Sequence, residues 1–131
     1  LWLWIQSFLS SRTQQVKLPN TVSTIRPCPA GVPQGCVISP QLFNIHIDDI
    51  EDAIPRELRD QVRVCKYADD CTVFIKIQRG SESKMQAVLD NLQRWANINN
   101  MSLNTTKTKD MWICFLSVGI SEPEKLKLLN V

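Results

Sequence analysis

Tyr67-Ala68-Asp69-Asp70 sets two carboxylates side by side in a chain of 131 residues. Their charges repel, so a fold that keeps both ionised gains from a cation beside them. A hard divalent ion such as Mg2+ takes oxygen ligands, typically one or two protein carboxylates together with substrate phosphates. Such a site needs rigid flanks. Residues 62–68 and 71–77 are candidates: two β-branched, apolar runs separated by Asp69-Asp70, the spacing of a tight hairpin. The dipeptide would also serve as an ordinary solvated turn, because Asp is a favoured turn residue. On its own the pair does not decide between the two.

A second segment, Gly31-Val32-Pro33-Gln34-Gly35-Cys36-Val37-Ile38-Ser39-Pro40, ends 27 residues before Tyr67. Gly31 and Gly35 permit backbone conformations and close approaches that a Cβ would obstruct, and Pro33 stiffens the loop between them. Gln34 carries a donor and an acceptor on one amide, so it can bond a polar partner in either sense. Lys107 offers a cation or a proton to an anionic leaving group. Tyr67 either stacks on a nucleic-acid partner or is a core aromatic of the hairpin. The plainer alternatives are a turn for 31–35 and a solvated Lys107.

These residues must be carried by a scaffold. Leu1, Trp4, Ile5, Phe8 and Leu9 fall at helical spacing, and residues 13–18 alternate as a strand would. Pro19, Pro27, Pro29 and Pro33 break the following stretch into an extended loop in which Val22 and Ile25 form a short strand. Ser39 as N-cap and Pro40 at the first helical position open a helix over 39–54, with Phe43, Ile47, Ile50 and Ile54 as its apolar stripe. Asp48, Asp49, Glu51 and Asp52 then form its solvated face, and Pro55 ends it. Ser81 caps a second helix with Met85, Val88, Leu89, Leu92, Trp95 and Ala96 on one side. Residues 101–103 and 111–116 read as strands joined by a polar connection. The fold class is α+β, with helices packed on one face of an antiparallel sheet.

The two motifs together, in this order and in these elements, resemble the reverse transcriptases, especially those of non-LTR retrotransposons. Further residues agree: Trp4-Ile5-Gln6-Ser7-Phe8-Leu9 with Arg12, Gln14 and Val16, then Leu92, Trp95 and Ala96, then Leu103-Asn104-Thr105-Thr106-Lys107-Thr108. The resemblance covers residues 1–116, a partial palm, and leaves 117–131 as an unassigned tail. It implies an RNA-directed DNA polymerase working by two-metal nucleotidyl transfer with Mg2+ or Mn2+. Asp69 would bind the metals and Asp70 support them. Gly31, Pro33, Gln34, Gly35 and Tyr67 would face template and nucleotide, and Lys107 the pyrophosphate. The implied partners are an RNA template, a DNA primer, deoxynucleotides, and fingers and thumb segments of the same polyprotein. Cys36 stands where relatives often carry Ser, a small-for-small change. The family's first catalytic aspartate, on a strand upstream of the Trp4 segment, has no counterpart in these residues. An incomplete palm, inactive alone, is therefore expected; a non-catalytic retrotransposon remnant with weak nucleic-acid binding is the alternative. An unrelated α+β interaction domain is a third reading.

Composition is compatible with all three. Apolar residues make up 44%, enough for a core, and the net charge of +2 does not announce a nucleic-acid binder. Six acids fall between Asp48 and Asp60 and six bases between Lys76 and Asp110, a separation that suits two functional faces or two solvated helices. Cys28, Cys36, Cys65, Cys71 and Cys114 form no CxxC pair, and His46 is the single histidine, so a zinc site is not indicated. Cys65 and Cys71 lie in apolar runs, where free Cys packs as a small hydrophobe. A reducing intracellular setting fits, and the resemblance to a mobile-element enzyme implies cytoplasm or nucleus. The apolar start beginning at Leu1 is too short to span a bilayer and reads as the end of a longer helix.

Overall fold

A helical stripe and an alternating pair of runs predict where this chain buries its apolar residues, and a computed structural model places most of them accordingly. It describes residues 1–78, 80–115 and 124–128. The chain divides into two compact units, Leu1–His46 and Ile47–Val131.

In the first unit, helix α1 spans Trp2–Leu9, with the Trp4 and Phe8 rings stacked 5.5 Å apart one turn from each other. Four two-residue strands follow: β1 (Thr13–Gln14), β2 (Lys17–Leu18), β3 (Thr21–Val22) and β4 (Arg26–Pro27). They pair antiparallel as β1 with β4 and β2 with β3, so Val22 lies in a strand while Ile25 does not. Helix α2, Ser39–His46, closes the unit. Ser39 is not its cap. Leu42 N–H already donates to Ile38 O at 3.0 Å, and the buried Ser39 hydroxyl donates to Pro33 O at 2.6 Å instead.

The continuous helix expected over 39–54 does not form. After α2 the chain passes through Ile47 into a 3-10 helix, Asp48–Ala53, and a second short one, Arg56–Leu58. Four acids within five residues disfavour the α-helix: Asp competes for its own backbone, and like charges three and four apart repel. The tighter winding keeps Ile47 and Ile50 in line, because residues three apart eclipse in a 3-10 turn, and both are buried.

The second unit is built on the hairpin of β5 (Val62–Tyr67) and β6 (Asp70–Ile75). Helix α3, Met85–Ile98, lays Val88, Leu92 and Ala96 inward, with Val88 fully buried. Its cap is Lys84 rather than Ser81, and Ser83 Oγ accepts the Met85 N–H at 3.3 Å. Ile50, Ile54, Leu58, Val62, Val88 and Leu92 form the core, with Val64, Val73 and Ile75 packed against it. One face of the hairpin is thus covered, as an α+β layer requires. The Gln86 amide donates to Lys127 O at 2.9 Å and accepts the Lys127 N–H at 2.8 Å, tying 124–128 to α3.

No strand forms at 101–103 or 111–115, and Leu116 lies outside the described residues. Met111, Ile113 and Phe115 are 62% or more exposed. β-propensity reflects packing against a neighbouring strand, and 111–115 have none among the described residues.

Candidate active site

The hairpin register sets the geometry of the carboxylate pair. Tyr67 pairs with Asp70, so the two-residue turn is Ala68-Asp69, one position earlier than the spacing of the apolar runs suggested. Ala68 has a φ of 52°, the sign that primed hairpin turns demand at their first central residue. In Ala that backbone costs about 1 kcal/mol more than in Gly. Asp69 therefore stands in the turn, while Asp70 is the first residue of β6. Both are exposed. The ion pairs found among the described residues use Asp48, Glu51 and Asp52, not Asp69 or Asp70.

Alternation along the strands sorts the remaining side chains. Val62, Val64 and Lys66 share a face with Cys71, Val73 and Ile75, the face that meets the core. Arg63, Cys65 and Tyr67 share the opposite face with Asp70, Thr72 and Phe74. Tyr67 is 83% exposed, which rules out the core-aromatic reading and leaves its ring free beside Asp70. Cys65 is exposed as well and does not pack as a small hydrophobe. Cys71 is exposed as a residue, while strand alternation puts its thiol on the inward face beside Lys66. Burial there pushes the thiol above its ordinary value, and the Lys66 ammonium opposes that rise.

Lys66 is the charged member of an otherwise apolar face. Its Nζ lies 3.4 Å from Glu51 and 3.9 Å from Asp48, and donates to Asp48 O at 3.3 Å. Asp49 accepts the Trp95 indole N–H at 3.0 Å, and Asp52 pairs with Arg59 at 3.2 Å. The four acids are thus exposed but each is tied to a neighbour, rather than forming only a solvated face. Sequence reasoning missed this role. The signal was Lys66 itself, two residues on from Val64 on the inward face.

Lys107 sits in a turn organised by Asn104. Asn104 O accepts the Lys107 and Thr108 N–H groups at 3.2 and 2.9 Å, and Asn104 Oδ1 accepts the Thr106 and Lys107 N–H groups at 3.2 and 3.1 Å. The Lys107 side chain is exposed.

Gly31, Pro33, Gln34 and Gly35 belong to the first unit, and Tyr67, Asp69, Asp70 and Lys107 to the second. The structure brings Tyr67, Asp69 and Asp70 to one hairpin end. Gly31 and Gly35 have φ of 76° and 85°, and a Cβ on either would meet nothing within 4 Å. Their requirement is the positive φ, not close approach by the chain itself. Gln34 is exposed.

The donor chemistry at the hairpin end, two adjacent carboxylates, suits a hard divalent ion. It is a partial set: no group of three His, Cys, Asp or Glu side chains gathers among the described residues. No helix among them is long and apolar enough to cross a membrane.

A hairpin ending in Tyr67-Ala68-Asp69-Asp70, preceded by a Pro33-Gln34-Gly35 loop leading into a helix, is the arrangement expected of one polymerase class, and comparison bears this out. Residues 1–129 match the family model described as reverse transcriptase (RNA-dependent DNA polymerase), and the chain belongs to that family. It is 36% identical over 111 residues to the RNA-directed DNA polymerase from mobile element jockey of Drosophila melanogaster, and 33% identical over 112 residues to its Drosophila funebris counterpart. Each alignment covers 82% of this chain and 12% of the relative. The probable RNA-directed DNA polymerase from transposon X-element of Drosophila melanogaster is 26% identical over 141 residues, 97% of this chain and 15% of that protein. The chain therefore spans about an eighth of the length of these relatives. No solved structure matches it. Family membership removes the unrelated interaction domain from consideration.

Proposed function

We propose that residues 1–116 are part of the palm of an RNA-directed DNA polymerase and that Asp69 and Asp70 hold its divalent metals. The carrying observation is the exposed Asp69-Asp70 pair at the end of a rigid two-stranded hairpin, in a chain matched to the family over 1–129. Mg2+ or Mn2+ bound there would place positive charge against the oxygens of a transferring phosphate. The chain's own residues do the rest. Strands β5 and β6, anchored by the core, hold the two carboxylates in place. Tyr67, on Asp70's face, offers a flat ring for a base or sugar at the primer end. The exposed Gln34 amide reads neither one base nor another, and so tolerates any template. Lys107, presented by the Asn104 turn, neutralises charge on the departing pyrophosphate. The names of the jockey relatives, RNA-directed DNA polymerases of mobile elements, support an RNA template and deoxynucleotides as substrates.

Two carboxylates alone leave a hard ion with most of its waters, and Mg2+ gives those up reluctantly. The 131-residue chain by itself is therefore expected to show no primer extension on an RNA template, with Mg2+ or with Mn2+. Grafted in place of the matching segment of a full-length relative, it should extend primers, and Asp69→Asn should lower the rate by about a thousandfold or more. An active graft that tolerates Asp69→Asn would end the metal assignment. Robust extension by the bare chain would end the partial-site argument.

A further inference from the structure

None of the residues 31–35 of the loop that carries Gln34 is fully buried. Val32 and Pro33 are only half-buried, and Gly31, Gln34 and Gly35 are exposed. Polar contacts hold the loop backbone from both sides in sequence. Arg12 Nε donates to Leu9 O, the last carbonyl of α1, at 3.0 Å. Its Nη2 donates to Ala30 O at 3.2 Å and to Gly31 O. The Arg12 carbonyl accepts the Cys28 N–H at 2.8 Å, so the arginine is tied to the same strand end through its backbone. From the other side, the Ser39 hydroxyl, 4% exposed, donates to Pro33 O at 2.6 Å.

We propose that Arg12 and Ser39 form a clamp that positions the 31–35 loop for nucleotide and template, with Arg12 as a positioning residue rather than a contact to substrate. The inference rests on the reading of Gln34 given above. A planar guanidinium can serve carbonyls from two segments at once because its donors are set in a rigid fork, which a lysine ammonium on a flexible stem does not reproduce. The carbonyls of Ala30, Gly31 and Pro33 are drawn to the clamp. Gly31 and Gly35 supply the two positive-φ bends between which Gln34 projects. Loss of either clamp residue frees the bends without removing any group that meets substrate. Such a change should weaken nucleotide binding more than the chemical step.

The test has two arms, with Arg12→Lys and Ser39→Ala chosen because both keep polarity or size. In the 131-residue chain, exchange of the two hydrogen-bonded amides that flank the loop, Cys28 N–H on Arg12 O and that of residue 39 on Cys36 O, should quicken about tenfold in either variant, while the 62–75 hairpin amides, read in the same sample, report that the chain is still folded. Unchanged exchange at both flanking amides overturns the clamp. In the grafted polymerase, Arg12→Lys should raise KM for deoxynucleotide about tenfold with kcat within about twofold, and Gln34→Ala should raise the same KM. If Gln34→Ala raises KM and Arg12→Lys does not, the positioning role is wrong while the loop reading stands. If exchange quickens but neither variant moves KM, the loop reading has failed and the positioning role falls with it, although the clamp as a structural contact remains. A matched fall in kcat without a KM change also overturns the proposal.

Discussion

The two units of this chain are held by different forces. In Leu1–His46 the single buried residue is a serine, Ser39, and the unit is held by short backbone ladders together with side-chain to backbone hydrogen bonds such as those of Arg12 and Gln15. In Ile47–Val131 six apolar side chains form a continuous core beneath one face of a six-residue-per-strand hairpin. An exposed hydrogen bond contributes about 0.5–1.5 kcal/mol net, whereas fully burying one aliphatic side chain contributes roughly 1.5–3 kcal/mol. The comparison teaches where each motif gets its rigidity. The carboxylates stand on an apolar foundation, and the Gln34 loop stands on a few directional bonds.

The largest expected effect comes from attacking that foundation. Leu92 is 5% exposed and sits between Val88 and Ala96 on the inward stripe of α3. Leu92→Ala should destabilise the Ile47–Val131 unit by about 2–5 kcal/mol through lost burial and a residual cavity. Denaturant unfolding followed by hairpin amide exchange measures this. A loss below about 1 kcal/mol would mean that the core does not carry the hairpin, and the contrast between the units would collapse.

A smaller loss is expected where the second unit uses a polar bond. The Trp95 indole N–H reaches Asp49 at 3.0 Å, joining α3 to the 3-10 turn. Trp95→Phe keeps an aromatic ring but removes the donor, and should cost about 1 kcal/mol. Asp49→Asn retains an acceptor and should cost less. If Trp95→Phe matched Leu92→Ala in effect, polar bonds would rank with the core in this unit, and the comparison would need redrawing.

The same contrast explains what was legible beforehand. Apolar periodicity located α1, α3 and both strands of the hairpin; in α3 and the hairpin burial imposes the period that the side chains record, whereas α1 buries none of its residues. The carboxylate pair and the Pro33-Gln34-Gly35 loop were legible as motifs. Three things were not. The helix over 39–54 carries an unbroken apolar stripe, but charge crowding at Asp48, Asp49, Glu51 and Asp52 works locally against it, and the chain changes winding after His46. The turn falls on Ala68-Asp69 because register is set by the inward face of the hairpin, and Lys66, not only Val62 and Val64, belongs to that face. The apolar residues at 111–115 signal burial in the sequence, yet Phe115 is 94% exposed. A strand needs a partner edge, and period alone does not say whether one is present.

Lys66 is where the two kinds of force meet, and the smallest stability effect is expected there. Its stem continues the inward apolar face, while its ammonium sits between Glu51 and Asp48, whose side chains are 58% and 88% exposed. Ion pairs with such exposed partners contribute about 0–1 kcal/mol, and Met preserves the stem. Lys66→Met should therefore change stability by less than about 1 kcal/mol. Its signature is chemical instead. Burial raises the Cys71 thiol above its ordinary value and the Lys66 charge pulls it down, so removing that charge raises it further. The thiolate fraction at a given pH then falls, and iodoacetamide should label Cys71 more slowly in the Met variant than in the wild type between about pH 7 and 9. The sign for stability follows from the same shift. A raised thiol binds its proton more tightly when folded, so its contribution is whole below the ordinary thiol range and is lost as pH climbs through the raised value. Faster labelling in Lys66→Met would show that the ammonium does not act on this thiol. A stability loss as large as that of Leu92→Ala would make the Lys66 ion pairs, rather than the core beneath them, the support of the Ala68-Asp69 turn.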